Sequence, residues 1–213
     1  MKKPIAKIIA AMKQHVGKTT AVVFYRSPFL VLVSTVLSQR TKDANTAKAS
    51  AQLFSKLKTP AQIATAPIKK IESLIKPSGF YRVKARHIKE LSKQLVEQFH
   101  GRVPQSLEEL LSLKGVGRKT ANCVLVFAFR KPAVPVDTHV HRISNRIGLV
   151  KTKLPEQTET ALMKTVPKHY WIELNELMVK FGQRVCLPRN PRCGICKVSP
   201  NCDYFKRAQK IFK

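Results

Sequence analysis

Residues 113–125 read LKGVGRKTANCVL, with two glycines around a valine, cationic residues on both sides and an apolar run after them. Glycines let the backbone turn tightly and come close to a ligand, and the N-terminus of a following helix offers unpaired N–H groups that suit a phosphate. Glycines also end helices routinely, so the glycines alone are weak evidence for a phosphate site. The neighbouring residues Lys114, Arg118 and Lys119 strengthen this interpretation. The stretch predicts two helices joined by a turn that binds backbone phosphate without reading base sequence.

Lys119 is the residue of this stretch whose role the sequence alone leaves open. It is one of many lysines, and a solvated or phosphate-contacting role is the simpler interpretation. A nucleophilic lysine requires partial burial and cationic neighbours. The first turn of a buried helix would provide the burial, and Arg118 would provide the neighbouring charge.

The charge balance of the chain is strongly basic. Its 213 residues include 40 Lys and Arg against 12 Asp and Glu, for a formal net charge of +28. Self-repulsion of this size destabilises a compact state unless a polyanion is usually present. Nucleic acid is the first candidate, an anionic membrane surface is the second, and a solvated basic surface is the remaining alternative.

The N-terminal stretch MKKPIAKIIAAMKQH begins like a signal peptide. Lys7 interrupts its apolar run, however, and no small-residue cleavage site follows. The chain also has no run of about 18 apolar residues of the kind that spans a bilayer. We therefore expect an intracellular protein of the cytoplasm or nucleoid that does not use a membrane.

Helical periodicity dominates the chain. The N-terminal segment carries, on one face, Ile5, Ile8, Ile9, Met12 and Val16. This pattern predicts an amphipathic helix packed on the body of the protein. The runs 29–37 and 121–129 are apolar on nearly every side, so periodicity does not separate a buried strand from a buried helix there. Helical neighbours and the lack of hairpin signals favour two central helices, and the predicted fold class is all-α.

Four cysteines near the C-terminus follow the spacing C-x6-C-x2-C-x5-C: Cys186, Cys193, Cys196 and Cys202. In a reducing compartment this pattern favours metal over disulfides. Zinc sites usually pair two short C-x2-C segments, and only one such pair occurs here, so the spacing favours a [4Fe–4S] cluster over zinc, with a disulfide pair as a third alternative. Four protein ligands would make such a cluster structural. The fifth cysteine, Cys123, is interpreted as a core residue.

A second constellation, VPVDTHVHRISNRIG, spans residues 134–148. Asp is a favoured helix N-cap, and capping alone would explain Asp137. A capping carboxylate can still face a cleft, and a pair of Asp137 with Lys119 would suit chemistry at a sugar carbon. His139 and His141 are interpreted first as exposed or capping residues, with catalytic or metal-binding roles as the alternative.

These elements together resemble the endonuclease III family of base excision DNA glycosylases. A further match is VLSQRTKD (36–43), which resembles the family segment L-S-x-Q-x-x-D. With GFYRVKA (79–85), the resemblance extends over roughly residues 20–205. The glycine turn, VDTH (136–139) and the cysteine spacing follow one another in the family's order, which makes the combination more specific than any one part.

The resemblance implies an all-α fold of two helical subdomains that flank a DNA cleft. Residues 22–131 would form a six-helix barrel with the helix-hairpin-helix motif. Residues 1–21 and 132–213 would form the iron–sulfur cluster domain, with the four C-terminal cysteines as ligands of a [4Fe–4S] cofactor. The proline-bearing break RKPAVPVDT at 130–138 agrees with this division.

The resemblance also implies roles for single residues. Lys119 matches the lysine that attacks the sugar C1′ in lyase-active members, and Asp137 matches the aspartate that stabilises positive charge on the sugar. Gln39 matches the position that enters the duplex beside the orphan base, and Phe80 matches an apolar wedge. Without the family, these two would be a helix-terminal glutamine and a core phenylalanine. Further DNA contacts are implied for Lys114, Gly115, Val116, Gly117, Arg118 and His139.

The implied function is that of a bifunctional DNA glycosylase and AP lyase, acting as a monomer on double-stranded DNA with damaged bases or abasic sites. It would remove oxidised pyrimidines of the thymine glycol type and cleave the strand by β-elimination through a lysine Schiff base. Lys119 argues against a mismatch-type thymine or uracil glycosylase, because related enzymes that do not cleave carry serine or tyrosine there. The remaining alternative is a non-catalytic DNA-binding module with a structural metal.

The sequence departs from the family pattern at two positions of the implied DNA-binding surface. Lys114 replaces a proline that is common before the first hairpin glycine, which adds charge and loosens the start of the turn without removing it. Phe80 stands where an aliphatic residue is frequent, and we expect this exchange to bear on the preference for the opposite base.

Overall fold

The computed structural model describes residues 3–17 and 27–211. Residue contacts divide the chain into two compact units, Met1–Val22 with Pro132–Lys213, and Val23–Lys131. The boundary between residues 131 and 132 falls inside the proline-bearing break at 130–138. The predicted domain boundary between residues 21 and 22 lies outside the described residues.

The described residues form helices and no strand, so the all-α prediction is confirmed. The helices are α1 (Ile5–Val16), α2 (Pro28–Ser38), α3 (Asp43–Lys56), α4 (Pro60–Thr65), α5 (Ile68–Leu74), α6 (Tyr81–Phe99), α7 (Leu107–Ser112), α8 (Arg118–Phe129), α9 (Thr138–Ile147), α10 (Pro155–Thr165), α11 (Trp171–Arg184) and α12 (Asp203–Ile211). Short 3-10 turns lie at Lys168–Tyr170, Cys193–Ile195 and Ser199–Asn201. No helix in the described ranges has the length and apolarity needed to cross a bilayer.

The unit Val23–Lys131 is built around α2 and α8, which pack against each other. Both are buried on several faces, as their apolar sequences require. The prediction that these two runs form central helices is therefore confirmed. The long helix α6 is amphipathic instead: Ile88, Leu91 and Leu95 are fully buried on one stripe, and each contributes roughly 1.5–3 kcal/mol by leaving water.

The other unit has its own core, in which α1 packs against α11. Ile8 and Met12 of α1 are fully buried in the same hydrophobic cluster as Met178 and Phe181 of α11. The N-terminal segment is thus an amphipathic helix on the body, as predicted. In this unit α9 is followed by its C-cap Gly148, whose φ of 85° is the left-handed conformation that favours glycine at a helix C-terminus.

Candidate functional site

A turn joins α7 to α8 where the sequence predicts it. Val116 donates its N–H to the carbonyl oxygen of Leu113 at 3.1 Å, and its side chain is buried beneath the turn. Gly115 has a φ of +79°, and a Cβ there would lie 2.7 Å from Nδ1 of His87. Both its conformation and its surroundings exclude a side chain, so the fold itself requires glycine at position 115.

Gly117 is different, because nothing in the described part of the chain requires a glycine there. Its φ of −92° is accessible to any residue, and a Cβ there would meet no atom of the described residues within 4 Å. Gly117 is the N-cap of α8, and no side chain caps this helix. The first-turn N–H groups are those that an anion binds at a helix N-terminus, and a bare backbone lets a phosphate approach them closely.

Lys114 is exposed at the start of the turn. Its backbone N–H donates to Oε1 of Gln94 at 2.8 Å, a bond that proline could not make, and Gln94 also donates to the carbonyl oxygen of Ser112 at 3.2 Å. This bond offsets the loosening that the sequence led us to expect. Burial lowers the pKa of His87, and the charges of Lys114 and Arg86 lower that pKa further, so the hairpin gains no additional positive charge from the imidazole.

Lys119 lies in the first turn of α8, two residues after the N-cap. It is half-buried, whereas Arg118 is exposed and Thr120 is buried. The partial burial of Lys119 agrees with the condition that the sequence set for a nucleophile. Its role in chemistry stays a prediction.

Gln39 is the C-cap of α2, and its side-chain amide is directed at the hairpin. Nε2 donates to the carbonyl oxygen of Gly115 at 3.0 Å and to Oγ1 of Thr120 at 3.2 Å. The end of α2 is thereby joined to both sides of the glycine turn. Gln39 is a helix-terminal glutamine with internal partners, and an insertion of its amide into DNA would break both hydrogen bonds.

Phe80 is 62% exposed, so the alternative of a core phenylalanine is wrong. It precedes α6 with a φ of 59°, a conformation that is unfavourable for an aromatic residue. The guanidinium carbon of Arg40 lies 5.9 Å from the centre of the Phe80 ring. Arg40 is itself exposed and has a φ of 50°. Two exposed side chains on strained backbone therefore lie together in this unit.

Lys84 is a residue that the sequence analysis missed. Only 4% exposed, it donates to the carbonyl oxygens of Leu37 (2.7 Å) and Gln39, to Oγ1 of Thr41 (2.8 Å) and to Oγ of Ser78 (2.9 Å). Burial lowers the pKa of Lys84 to about 8. The loops 39–42 and 75–80, together with Lys84, form what we call the loop cluster.

A signal in the sequence could have found Lys84. It lies four residues before Ile88 in α6, and with Leu91 and Leu95 these positions form one helical stripe. A lysine in an otherwise apolar stripe means either that the helix has been aligned wrongly on the sequence or that the lysine is a buried cation with hydrogen-bond partners. The partners could not be read from the sequence, because two of them are backbone carbonyl oxygens.

Asp137 belongs to the other unit and caps α9. Its Oδ1 accepts the N–H groups of His139 and Val140, both at 2.9 Å, which confirms the predicted capping role. Among the described residues only Oδ1 accepts hydrogen bonds, so the carboxylate keeps its second oxygen for another partner. His139 is half-buried, and its Nδ1 lies 3.1 Å from Nη2 of Arg142.

His141 lies in the same helix and is neither exposed nor a cap. Its Nδ1 is 2.7 Å from Oγ1 of Thr158, whose hydroxyl lies 2.6 Å from that of Thr152. Asn145 completes this polar group by donating to Thr152 Oγ1 at 3.2 Å. The interpretation of His141 as exposed or capping is wrong, because hydroxyl groups of α10 and of the loop before it hold the imidazole.

The four C-terminal cysteines line one cavity, which we call the cysteine cavity, and all five cysteines are free thiols. The remaining lining includes Ile147, Phe181, Val185 and Val198. Burial raises the pKa of Cys193 and Cys196, and the neighbouring thiols raise it further. Within residues 3–17 and 27–211, no three His, Cys, Asp or Glu side chains are placed to hold a metal ion. Cys123 is buried in α8, as predicted.

Arg146 supports the wall of the cysteine cavity. Its guanidinium donates to the carbonyl oxygens of Leu187 at 2.6 Å and Pro188 at 2.7 Å, and it lies 3.6 Å from Sγ of Cys186. One face of the guanidinium is covered by the ring of Tyr204, whose centre is 4.8 Å from the guanidinium carbon. The cation therefore fixes the chain that carries the first cysteine.

Comparison with known proteins places these features in a family. Residues 33–168 match the model of the HhH-GPD superfamily base excision DNA repair proteins. Endonuclease III of Thermotoga maritima is 56% identical over 183 residues, which cover 86% of each chain. Among solved structures, a trapped covalent intermediate of endonuclease III with DNA is 35% identical, with a TM-score of 0.89 over 96% of this chain and 97% of that one.

A thermostable thymine-DNA glycosylase has the same fold, with a TM-score of 0.83 and 27% identity over 95% of each chain. The fold therefore supports more than one base specificity within this class of helix-hairpin-helix DNA repair proteins. By its sequence identity and coverage, the chain belongs to the endonuclease III family of the HhH-GPD superfamily. Its activity is that of a DNA glycosylase and AP lyase of base excision repair.

Proposed function

We propose that the chain removes oxidised pyrimidines of the thymine glycol type from duplex DNA, with Lys119 as the nucleophile. The observation that carries this proposal is the position of Lys119, half-buried in the first turn of α8 beside an uncapped helix N-terminus. The helix N-terminus would hold the phosphate backbone while the lysine reaches the sugar of the same nucleotide. Hairpin contacts come from Lys114, Gly115, Val116, Gly117 and Arg118.

The reaction requires the neutral amine of Lys119. Its nitrogen lone pair forms a bond to C1′ as the glycosidic bond breaks, and the base leaves with the bonding electrons and takes up a proton. The sugar ring then opens to a protonated Schiff base between Lys119 and C1′. Loss of a proton from C2′ expels the 3′ phosphate by β-elimination, and water finally releases the lysine.

Asp137 would assist from the N-terminus of α9. A carboxylate there stabilises the positive charge that develops on the sugar as the base departs, and it can accept or return the protons that Lys119 exchanges. Two N–H groups hold Oδ1, which fixes the direction of Oδ2. His139 is proposed as a DNA contact beside it, since it lies two residues after the cap and its N–H donates to Oδ1 of Asp137.

We infer that Cys186, Cys193, Cys196 and Cys202 hold a [4Fe–4S] cluster. The fit rests on the donor set: four thiols line one cavity with apolar walls, and Arg146 supplies a donor beside Cys186. Bound there, the cluster would be structural, because the protein supplies all four ligands.

Borohydride trapping tests the nucleophile. Wild type should form a covalent adduct with a thymine glycol or abasic duplex, and Lys119→Gln should form none, because only an amine makes a reducible Schiff base. Lys114→Gln is the matched control, since it removes a hairpin lysine without removing the nucleophile. An adduct formed by Lys119→Gln, or none by wild type, contradicts the assignment.

Two further measurements separate the rival functions. Iron and broad visible absorbance are expected, whereas one equivalent of zinc without iron would favour a DNA-binding module with a structural metal. Release of mismatched thymine without strand cleavage would favour a mismatch glycosylase. We also expect a monomer inside the cell whose affinity for DNA falls steeply with salt, because phosphate contacts release counterions.

A further inference from the structure

A pocket lies beside the hairpin, within the unit Val23–Lys131. Its volume is about 380 Å³, and cavities of about 300–1,000 Å³ are of the size that small ligands occupy. One of its lining residues comes from α5 and one from the start of the hairpin, and the others come from α6. These residues are Ile68, Arg86, His87, Lys89, Glu90 and Lys114. We call this cavity the basic pocket.

The charges that line the basic pocket are unbalanced. Arg86, Lys89 and Lys114 are cationic, and Glu90 is the single carboxylate of the lining. Oε2 of Glu90 lies 3.9 Å from Nζ of Lys93, so this carboxylate already faces a cation that is not part of the lining. Cations gathered in one concave surface repel one another and attract an anion.

Two of these cations are without an anionic partner in the described part of the chain. Arg86 and Lys114 are exposed, and within residues 3–17 and 27–211 the charged group of neither makes a hydrogen bond or an ion pair. The third cation, Lys89, is half-buried and donates to the carbonyl oxygen of Ala66 at 2.6 Å, which fixes its ammonium in the wall. A guanidinium whose donors are free binds a phosphate through two parallel N–H bonds.

The basic pocket shares a wall with the hairpin. His87 lies against Gly115, because a Cβ on this glycine would be 2.7 Å from Nδ1 of the imidazole. Lys114 directly precedes Gly115, and Gly117 caps α8 two residues later. Burial lowers the pKa of His87, and the charges of Lys114 and Arg86 lower that pKa further, so both cations act on this wall. An anion in the basic pocket would therefore lie next to an anion bound at the hairpin.

We propose that the basic pocket is a second phosphate-binding site, which takes one phosphate of the DNA backbone while the hairpin holds another phosphate of the same duplex. This inference rests on the proposed function, since it takes the hairpin to lie against the phosphate backbone. Arg86 and Lys114 supply the free donors, and Lys89 adds positive charge from the wall. Phosphates follow one another at about 3.4 Å of helix axis along each strand, so a duplex held at the hairpin carries further phosphates past the pocket.

The lining favours a backbone phosphate over the phosphate of a free nucleotide. Ile68 is its one apolar side chain, so the pocket offers little surface for a base, whereas three cations suit a phosphate. Arg86 and Lys114 are also exposed, as suits a ligand that is part of a long chain outside the protein. Lys114 stands where proline is common in the family, so the site belongs to chains that carry a cation at this position.

The test combines single neutral phosphates with single variants. Duplexes carry a tetrahydrofuran abasic analogue, which a lyase cannot cleave, and one uncharged methylphosphonate at each backbone position in turn. For wild type we expect one position, separate from the hairpin phosphate, at which the methylphosphonate raises Kd about fivefold. In Arg86→Gln the same methylphosphonate should change Kd by less than about twofold, because the phosphate charge has already lost its partner.

Matched variants make the result specific to the basic pocket. Arg102→Gln removes an exposed arginine beyond the far end of α6, which lies about 20 Å along the helix axis from Arg86, and it should keep the methylphosphonate profile of wild type. Lys114→Gln serves if Arg86→Gln folds poorly, and it should lose the same position. A wild-type profile in the folded pocket variant overturns the proposal. Loss of the same position in Gly117→Ala also overturns it, because the pocket would then not be a separate site.

Inorganic pyrophosphate distinguishes a free phosphate compound from the DNA backbone. Added without DNA, it should shift the NMR resonances of the His87 ring only weakly, and it should compete with the duplex. Saturation of these shifts at micromolar pyrophosphate, with no competition against the duplex, would make a free phosphate compound the ligand and overturn the proposal.

Failure of the proposed function has a different readout. If wild type gives no borohydride adduct while one phosphate still depends on Arg86, the lysine chemistry is wrong and the basic pocket holds. If the adduct forms and no phosphate depends on Arg86, the lysine chemistry holds and the basic pocket is wrong. If one phosphate depends on Arg86 and none depends on Gly117, the hairpin contact is wrong and the basic pocket holds.

Discussion

The loop cluster and the cysteine cavity hold their functional groups in different ways. In the loop cluster, a buried ammonium finds four oxygen acceptors within the chain, and the side chain of Gln39 joins the same loops to the hairpin. In the cysteine cavity, four thiols lie on short turns, and burial raises the pKa of two of them. In the loop cluster the polar groups find their hydrogen-bond partners within the chain. The cysteine cavity brings together thiols that suit a bound metal.

This difference indicates which of the two regions should need a bound ligand for its stability. A buried lysine with partners is complete once the protein folds, so the loops of the loop cluster should keep their arrangement with or without a cofactor. Thiols gathered in an apolar cavity are poor partners for one another, and metal binding to such groups contributes to folding free energy. The two regions should therefore respond in opposite ways to changes that remove a cofactor and changes that remove a hydrogen bond.

The largest effect is expected at the cysteine cavity. Cys202→Ser should lower iron content and reduce the free energy of unfolding by about 5 kcal/mol or more, which lowers the melting temperature by roughly 10–20 °C. Iron analysis and thermal unfolding check it. Cys123→Ala, which removes the thiol outside this cavity, should keep its iron, and full iron in Cys202→Ser would show that this thiol is not a ligand.

Loss of the buried ammonium should have the next largest effect. Lys84→Met keeps the apolar stem of the side chain but leaves carbonyl oxygens of the loop cluster without a donor, so we expect a loss of about 3 kcal/mol of stability with iron content unchanged. Urea unfolding and visible absorbance measure the two quantities. Lys89→Met in the same helix removes a single bond to the carbonyl oxygen of Ala66 and should cost less than about 1 kcal/mol. Equal losses in both variants would contradict a special role for Lys84.

The two hairpin glycines should serve different purposes: Gly115 should matter for stability and Gly117 for DNA binding. Gly115→Ala should cost about 2 kcal/mol of stability, because alanine is strained at positive φ and would press on His87. Gly117→Ala should leave stability within about 0.5 kcal/mol of wild type and weaken DNA binding about tenfold, because its methyl group displaces a phosphate. Chemical unfolding and a binding titration test the pair, and a stability loss in Gly117→Ala would refute this division.

The smallest effect concerns pH. Burial lowers the pKa of Lys84 to about 8, whereas an unfolded lysine titrates near 10.5. Between these values the unfolded chain binds more protons, so the stability of wild type relative to Lys84→Met should rise with pH, by about 1 kcal/mol between pH 8 and pH 9. Urea unfolding of both proteins at these pH values measures the change. A falling difference would mean that the oxygen acceptors outweigh burial and raise the pKa instead.

Much of the fold could be predicted because its signals are local. The apolar periodicity of α1, the all-round apolarity of α2 and α8, and the glycines of the hairpin each specify an element from adjacent residues. The capping role of Asp137 was equally accessible, since a cap bonds to N–H groups two and three residues later. The spacing of the cysteines singled out the four that line one cavity.

What the sequence could not supply at the site is direction and partners. Insertion of Gln39 into the duplex stays a prediction, and in the structure its amide bonds to residues 76 and 81 positions later in the chain. Phe80 could not be distinguished from a core residue, because an isolated aromatic residue before a helix has no periodicity. His141 was expected at the surface, and its partner Thr158 is on another helix.

The sequence by itself determined the helices, the capping role of Asp137 and the set of four cysteines that line one cavity, because each depends on residue type and near-neighbour spacing. Only the tertiary structure decided that Gln39 is directed inward, that Arg40 and Phe80 are exposed together, and that Lys84 joins two loops. These arrangements depend on carbonyl oxygens and on contacts between residues some forty positions apart. A backbone carbonyl is the same in every residue, so its use as a partner leaves no mark in the order of amino acids.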